Sequence, residues 1–249
     1  MSPAERFDLT GKVALVTGGS RGLGLQMVQA FAEAGADMVI ASRKLEACEA
    51  AAGAVRALGR RAMPFACHVG HWGDVERLVE AAYAEFGRVD ILVNNAGMSP
   101  LAPSSAETSE ELFDKVLDVN FKGPFRLAAL VGERMVKDGG GTIINVSSTG
   151  AIRPQPRFLP YAGAKAALNA MTEGFAKEFG PTVRVNCIMA GPFLTDIAKA
   201  WDERSRRKAP NALGRPGNPE EIVTAALYLA SPQSSFTTGS VIRVDGGLP

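Results

Sequence analysis

Short runs of β-branched and aliphatic residues alternate along this chain with longer, alanine-rich stretches whose apolar positions recur at helical spacing. The runs "KVALV", "DMVIA", "RAMPFA" and "DILVN" are short and almost wholly apolar, which predicts strands buried on both faces. Between them, residues 23–34, 45–58 and 75–86 predict helices. The second half continues with a long helix over 110–137, the strand "GTIINVS", a helix over 160–179, the strand "TVRVNCI" and a last strand at Val241–Val244. Parallel neighbours need crossover helices, so this rhythm predicts an α/β fold, a parallel sheet with helices on both faces. No linker, repeat or low-complexity tract interrupts it, and a single domain over 1–249 is expected. Residues 100–103, 152–160 and 191–219 each follow a strand. Ligands of open α/β sheets bind beyond the carboxyl ends of strands, so these loops should frame a pocket.

Composition narrows the partners. An apolar content of 46% is ample for a core, while 27 Lys+Arg against 26 Asp+Glu leave no net field that would favour nucleic acid or a membrane surface. No apolar run approaches the ~18 residues of a membrane span, and "MSPAERFDLTGK" lacks the basic-then-apolar pattern of a signal peptide. A cytoplasmic protein with a small-molecule partner is expected. Cys48, Cys67 and Cys187 are scattered and read as reduced core thiols. The stretch "CHVGH" gathers Cys67, His68 and His71, but no second cluster supplies the remaining ligands of a zinc site, and no metal is expected.

Candidate chemistry begins directly after the first strand, with "TGGSRGLG" leading into a helix. Glycines at 18, 22 and 24 permit positive φ, close backbone approach to a pyrophosphate and tight helix-to-strand packing, and the helix N-terminus offers free N–H groups. Gly18, Ser20, Arg21, Gly22, Leu23 and Gly24 are therefore candidate dinucleotide contacts. Far along the chain, "YAGAK" sets Tyr161 and Lys165 one turn apart on one helical face, with only small residues between them. A phenol is a poor proton-transfer group near neutrality unless a neighbouring positive charge favours its phenolate.

The spacing Gly-x3-Gly-x-Gly differs from the commoner dinucleotide fingerprint and resembles the short-chain dehydrogenase/reductase family, classical and carbonyl-reductase-like. "NNAG" at 94–97, "VNFKG" with Asn120, "NVSS" with Ser148 and "YAGAK" follow in family order. The resemblance implies a Rossmann-type doubly wound sheet, with a cofactor half of about 1–145 and a catalytic half of about 146–249. It implies that Tyr161 exchanges a proton with a carbonyl or alcohol oxygen as hydride moves to or from nicotinamide. Lys165 would favour the phenolate and bind the nicotinamide ribose, Ser148 would orient the substrate oxygen, and Asn120 would hold a proton-relaying water. Ser42 stands where NAD-dependent members usually carry an acid. Arg43 follows it, so Arg21 and Arg43 are expected to clamp a 2′-phosphate, favouring NADP(H) over NAD(H). His68 and Val69 are expected at the adenine, Asn95, Ala96 and Gly97 beside the cofactor, Gly191 and Pro192 near the nicotinamide, and Thr195 at its carboxamide or at a phosphate. His68, where an aspartate is usual, and "AGPFLT", where a Pro-Gly turn is usual, depart from the pattern.

Met98, Leu101, Ile152, Phe158, Phe193, Leu194 and Trp201 are the candidate apolar substrate lining, alongside Ser148 and Tyr161. Arg153, Arg157, Arg204, Arg206 and Arg207 are the alternative, for an anionic substrate. Reduction of a ketone or aldehyde is the first expectation. A sugar dehydrogenase, a 3-oxoacyl thioester reductase and a non-catalytic NADP-binding regulator are the alternatives; a regulator typically lacks one of the serine, tyrosine or lysine, all of which this chain retains. The family commonly pairs its two long helices between subunits, and the apolar surplus at Leu168, Met171, Phe175 and Phe179 predicts a homotetramer, with a dimer as runner-up.

Overall fold

The structure, a computed structural model, describes residues 6–196, 198 and 202–248. Seven strands, β1 (Val13–Thr17), β2 (Asp37–Ser42), β3 (Ala62–Ala66), β4 (Ile91–Asn94), β5 (Gly141–Ser148), β6 (Val183–Ala190) and β7 (Val241–Val244), form one sheet in the order β3-β2-β1-β4-β5-β6-β7. Every neighbouring pair is parallel. The chain winds outward from β1 to β3, then crosses back to lay β4 beside β1. The reversal between β1 and β4 is the topological switch point, where open sheets of this kind bind ligands.

Because side chains alternate across a strand, each strand feeds two cores. Ala14 and Val16 face one layer with Met27, Val28 and Phe31 of α1 (Gly22–Glu33), Cys48 and Val55 of α2 (Leu45–Ala57), and Leu229 of α8 (Val223–Ala230). Val13 and Leu15 face the other, with Leu78 of α3 (Trp72–Phe86), Leu127 and Met135 of α5 (Gly123–Lys137), and Leu168 and Phe175 of α6 (Leu159–Glu178). Phe31 is fully buried, and truncating such a side chain to alanine costs about 3–5 kcal/mol. Ends are set locally. Gly87, at φ 74°, closes α3 by donating its N–H to the Tyr83 carbonyl, and the Ser109 hydroxyl accepts from the Leu112 N–H to open α4 (Glu110–Leu117).

Four expectations need correction. The helix expected over 110–137 is two α-helices, α4 and α5, joined by a π-helical turn at Asp118–Lys122 that carries Asn120. The stretch 191–219 was expected to be irregular, yet it holds the short α7 (Glu203–Arg207), and its last residue opens the 3-10 turn Pro219–Ile222 that leads into α8. That turn opens with a capping box of Asn218 and Glu221 and with Pro219 in its first turn, a start signal present in the sequence. Leu168, Met171, Phe175 and Phe179 do not supply outward surface: all four are buried against the chain's own sheet. Phe193, expected to line a substrate pocket, is 6% exposed in the α1-side core, with its ring over Gly217. Trp201 lies outside the described residues.

Candidate active site

The turn from β1 to α1 is shaped by what would collide with a side chain. Gly18 and Gly22 have φ of 64° and 54°, a region that favours glycine. A Cβ on Gly18 would lie 2.8 Å from Asn95 Nδ2, and one on Gly24 would lie 2.2 Å from the Gly18 carbonyl oxygen. Asn95 donates from Nδ2 to the carbonyls of Thr17, at 2.9 Å, and Gly18, at 3.3 Å. The Thr17 hydroxyl accepts from the N–H groups of Asn95 and Ala96 and donates to the Val93 carbonyl. Thr17 thus joins the ends of β1 and β4 across the switch point. It was missed as a functional residue, although it opens the quoted glycine motif. The glycines at 18, 22 and 24 keep those positions of the turn free of side chains, a cradle that suits a pyrophosphate.

Tyr161, Lys165, Ser148 and Asn120 come together at the next strand ends. Ser148 ends β5, and its hydroxyl accepts from the Gly150 N–H at 3.1 Å. Burial raises the Tyr161 phenol above its usual range, and a hydrogen bond with Ser148 opposes the rise. The Phe158 ring meets Tyr161 edge-on at 6.0 Å between centroids. Lys165 is 4% exposed, its Nζ 5.8 Å from the Tyr161 ring centroid, and it donates to the Val146 carbonyl at 2.8 Å. Burial lowers its pKa to about 8. The largest influence on the Tyr161 phenol here is desolvation, opposed by its Ser148 hydrogen bond.

Asn120 donates from Nδ2 to the carbonyls of Met98, at 2.8 Å, and Val116, at 2.9 Å, and its Oδ1 accepts from the Met98 N–H. The π turn carries Asn120, which is fully buried. A Cβ on Gly97 would lie 2.9 Å from Asn120 Oδ1 and 3.5 Å from Lys165 Nζ, so glycine there leaves a small space between those two polar ends.

At the carboxyl end of β2, Ser20 and Ser42 meet hydroxyl to hydroxyl at 2.9 Å, and the Cys48 thiol lies 3.0 Å from Ser42 Oγ. Arg43 is exposed and close enough to His68 to help hold its imidazole below the usual histidine range, after burial and the His71 ring stacked on it at 4.3 Å. His68 Nδ1 is buried without a hydrogen-bond partner among the described residues, a polar atom suited to a base edge. Val69 is buried beneath, its carbonyl against Gly123. Arg21 is exposed, and its Nη1 pairs with Asp196 Oδ2 at 3.2 Å. Thr195 lies by Gly22, which a Cβ there would meet at 3.4 Å, so the loop after β6 closes against the glycine turn. Asp196 was missed, and an acid within a polar loop gives no signal of that contact.

Gly191 is hydrogen-bonded to Val244, and a Cβ there would meet Asp245 at 2.6 Å; the Pro192 carbonyl accepts from Gly217. The first two pocket loops are tied together, with Ala102 N–H donating to the Arg157 carbonyl and Arg157 Nε donating back to Ala102. Met98 is partly buried, and Ile152, Leu101 and Leu194 are exposed near their strand ends. Of the loop arginines, Arg207 pairs with Glu203 and Arg206 donates to the Ala198 carbonyl.

Residues 18–249 match the family model described as enoyl-(acyl carrier protein) reductase. The chain is 36% identical over 250 residues to the human "Dehydrogenase/reductase SDR family member 4", covering 98% of this chain and 90% of that one. The chain belongs to the short-chain dehydrogenase/reductase family. The 3-oxoacyl-acyl-carrier-protein reductase FabG of Thermotoga maritima is 36% identical over 243 residues, 96% of this chain and 98% of its own. Among solved structures, a short-chain type dehydrogenase/reductase from Mycobacterium marinum superposes with a TM-score of 0.93 at 35% identity, covering 99% of both chains. The NADPH-dependent 3-quinuclidinone reductase of Rhodotorula rubra does so at 0.92 and 30%, over 99% and 94%. A 7α-hydroxysteroid dehydrogenase complexed with NADH and 7-oxo glycochenodeoxycholic acid reaches 0.92 and 31%, over 99% and 98%. Members of this short-chain family are oxidoreductases that bind nicotinamide cofactors and act on CH–OH or C=O groups.

Proposed function

We propose that this short-chain dehydrogenase/reductase is NADP(H)-dependent and interconverts a carbonyl and a secondary alcohol, working chiefly as a ketone or aldehyde reductase. The observation that carries this reading is the convergence of Ser148, Tyr161 and Lys165, with the phenol hydrogen-bonded to the serine and the ammonium 5.8 Å from its ring. The glycine cradle, the orphaned His68 Nδ1 and the space beside Gly97 fit a dinucleotide. Nicotinamide, when bound, supplies or receives the hydride. Ser148 orients the substrate oxygen, and Tyr161, kept protonated by burial, gives its phenolic proton to that oxygen in the reductive direction. Lys165 steadies the phenolate left behind and reaches the ribose, and Asn120 closes the polar path behind it.

Ser42 and Arg43 support the phosphorylated cofactor, because a hydroxyl and a guanidinium at the end of β2 accept a 2′-phosphate where a carboxylate would repel it. Three buried free thiols accord with a reducing, cytoplasmic compartment. The single domain folds around one sheet and assembles as a homotetramer. Reduction of a 3-oxoacyl thioester is the second reading, supported by the similarity to the Thermotoga protein. NADPH oxidation measured against ketones, sugar-derived carbonyls and 3-oxoacyl thioesters, with NADH in parallel, tests both. No turnover with any of them, or a preference for NADH, overturns the proposal.

A further inference from the structure

Strand β5 is buried, yet two of its positions facing α6 are polar, Asn145 at 0% exposure and Ser147 at 3%. Such a conflict between local chemistry and burial marks a place where something other than stability is served. Asn94 donates from Nδ2 to Asn145 Oδ1 at 2.9 Å, Asn145 donates from Nδ2 to Thr172 Oγ1 at 2.9 Å, and Thr172 donates to the Leu168 carbonyl at 2.9 Å. Asn94 also reaches the Pro124 carbonyl at 3.4 Å. Both ends are backbone carbonyls, which only accept, so each amide has one workable orientation and the direction of the chain is fixed.

This buried chain touches each element that carries the candidate machinery. Pro124 opens α5, directly after the π turn of Asn120; Asn94 ends β4, just before Gly97; Asn145 lies on β5, three residues before Ser148; and Thr172 lies on α6, two turns after Lys165 and on its face. Ser147 adds a second rung by donating to the Lys165 carbonyl at 3.1 Å. Apolar packing alone is non-directional and tolerates small slides and rotations of a helix on a sheet, whereas a directed polar chain favours one phase, even though Asn94 Oδ1 is left without a partner among the described residues.

We propose that Asn94, Asn145 and Thr172 are positioning residues that set the phase of α6 on the sheet and so hold Tyr161 and Lys165 in reach of Ser148. The inference rests on the catalytic reading of Tyr161. Its test compares Thr172→Val, which keeps the shape and removes the hydroxyl, with Thr172→Ser, which keeps the hydroxyl, and with Tyr161→Phe. In Thr172→Val we expect kcat to fall about tenfold with cofactor Kd within about twofold, since misplacing a reacting group by a fraction of an ångström has effects of that order. Tyrosinate absorbance, read against Tyr161→Phe, should show the phenol titrating at higher pH as its Ser148 hydrogen bond weakens. Thr172→Ser should restore both. A Thr172→Val or an Asn145→Val protein that melts earlier but keeps wild-type kcat and tyrosinate titration would overturn the inference. Undiminished activity in Tyr161→Phe would instead overturn the catalytic reading beneath it.

Discussion

A Cβ added to Gly24 would lie 2.2 Å from the carbonyl oxygen of Gly18, closer than any real contact permits. The obstacle is backbone, so the glycine turn itself must move. Gly24→Ala is expected to weaken NADPH binding at least ~10-fold and to destabilise the fold by about 1–3 kcal/mol through overpacking. Gly53, within α2, has open space where its Cβ would be, and Gly53→Ala should stabilise by up to ~1 kcal/mol. Cofactor fluorescence titration and thermal melts of the two variants check the contrast.

Tyr161→Phe removes the hydroxyl and leaves the ring against Phe158. Cofactor affinity should stay near wild type while turnover drops at least ~100-fold, the lower range for general acid/base catalysis. Steady-state rates alongside equilibrium binding separate the two effects, and near-normal turnover would remove Tyr161 from the mechanism.

At the adenosine end, Arg43→Ala should erode the preference for NADPH over NADH by about 1–3 kcal/mol, as for a hydrogen bond to a charged group. NADH affinity should barely change. Isothermal titration with both cofactors decides it; equal losses for the two would mean that Arg43 does not meet the phosphate.

Lys165 yields a stability prediction with a definite sign. Its folded pKa is lowered from 10.5 to about 8 by burial, so between those values the unfolded chain binds the proton that the folded chain has released. Stability should therefore rise with pH from about 8 to 10.5 on account of this group, with its full penalty present below 8. Denaturant melts across that window should show the rise in the wild type and a smaller one in Lys165→Met.

The outward faces of α4 and α6 frame a groove of about 530 Å³ lined by Phe113, Leu117, Leu159, Pro160 and Gly163. Phe113, Phe125 and Leu159 are each more than 40% exposed, and Gly163 and Gly174 leave the α6 backbone open to close approach. Light scattering after size-exclusion chromatography should give roughly four times the chain mass of 26.2 kDa. A charged residue at Phe113 should halve or quarter that mass, and a wild-type monomer would dismiss the assembly.

Much of this arrangement was legible beforehand because strand–helix alternation and glycine spacing are local properties. The β1-to-α1 turn, the end of β5 and the Tyr161–Lys165 face all fall where periodicity and motif order place them. The rest depends on partners distant in the chain. Phe193 looks like a loop residue in sequence, but its β-bridge to Gly217 draws it into the core. The apolar residues of α6 look surplus until Phe175 and Phe179 are seen stacked at 5.0 Å against the chain's own second core. The Arg21–Asp196 pair joins positions 175 residues apart, and nothing local in the sequence announces it. The start of α8, by contrast, is marked in the sequence by contiguous capping residues, Asn218, Pro219 and Glu221.

Val116 and Met135 both face the core, and they are separated by nineteen positions, one more than five turns of about 3.6 residues. The wide turn at Asp118–Lys122 absorbs that extra residue. One residue fewer would leave a plain helix with Val116 and Met135 still in phase, but it would remove the wide turn that carries Asn120 beside Gly97. The loops over 100–103 and 191–218 carry no such phase. A change of length in those loops leaves the phase of α4 and α5 unchanged, whereas a residue removed at 118–122 takes away the turn that holds Asn120.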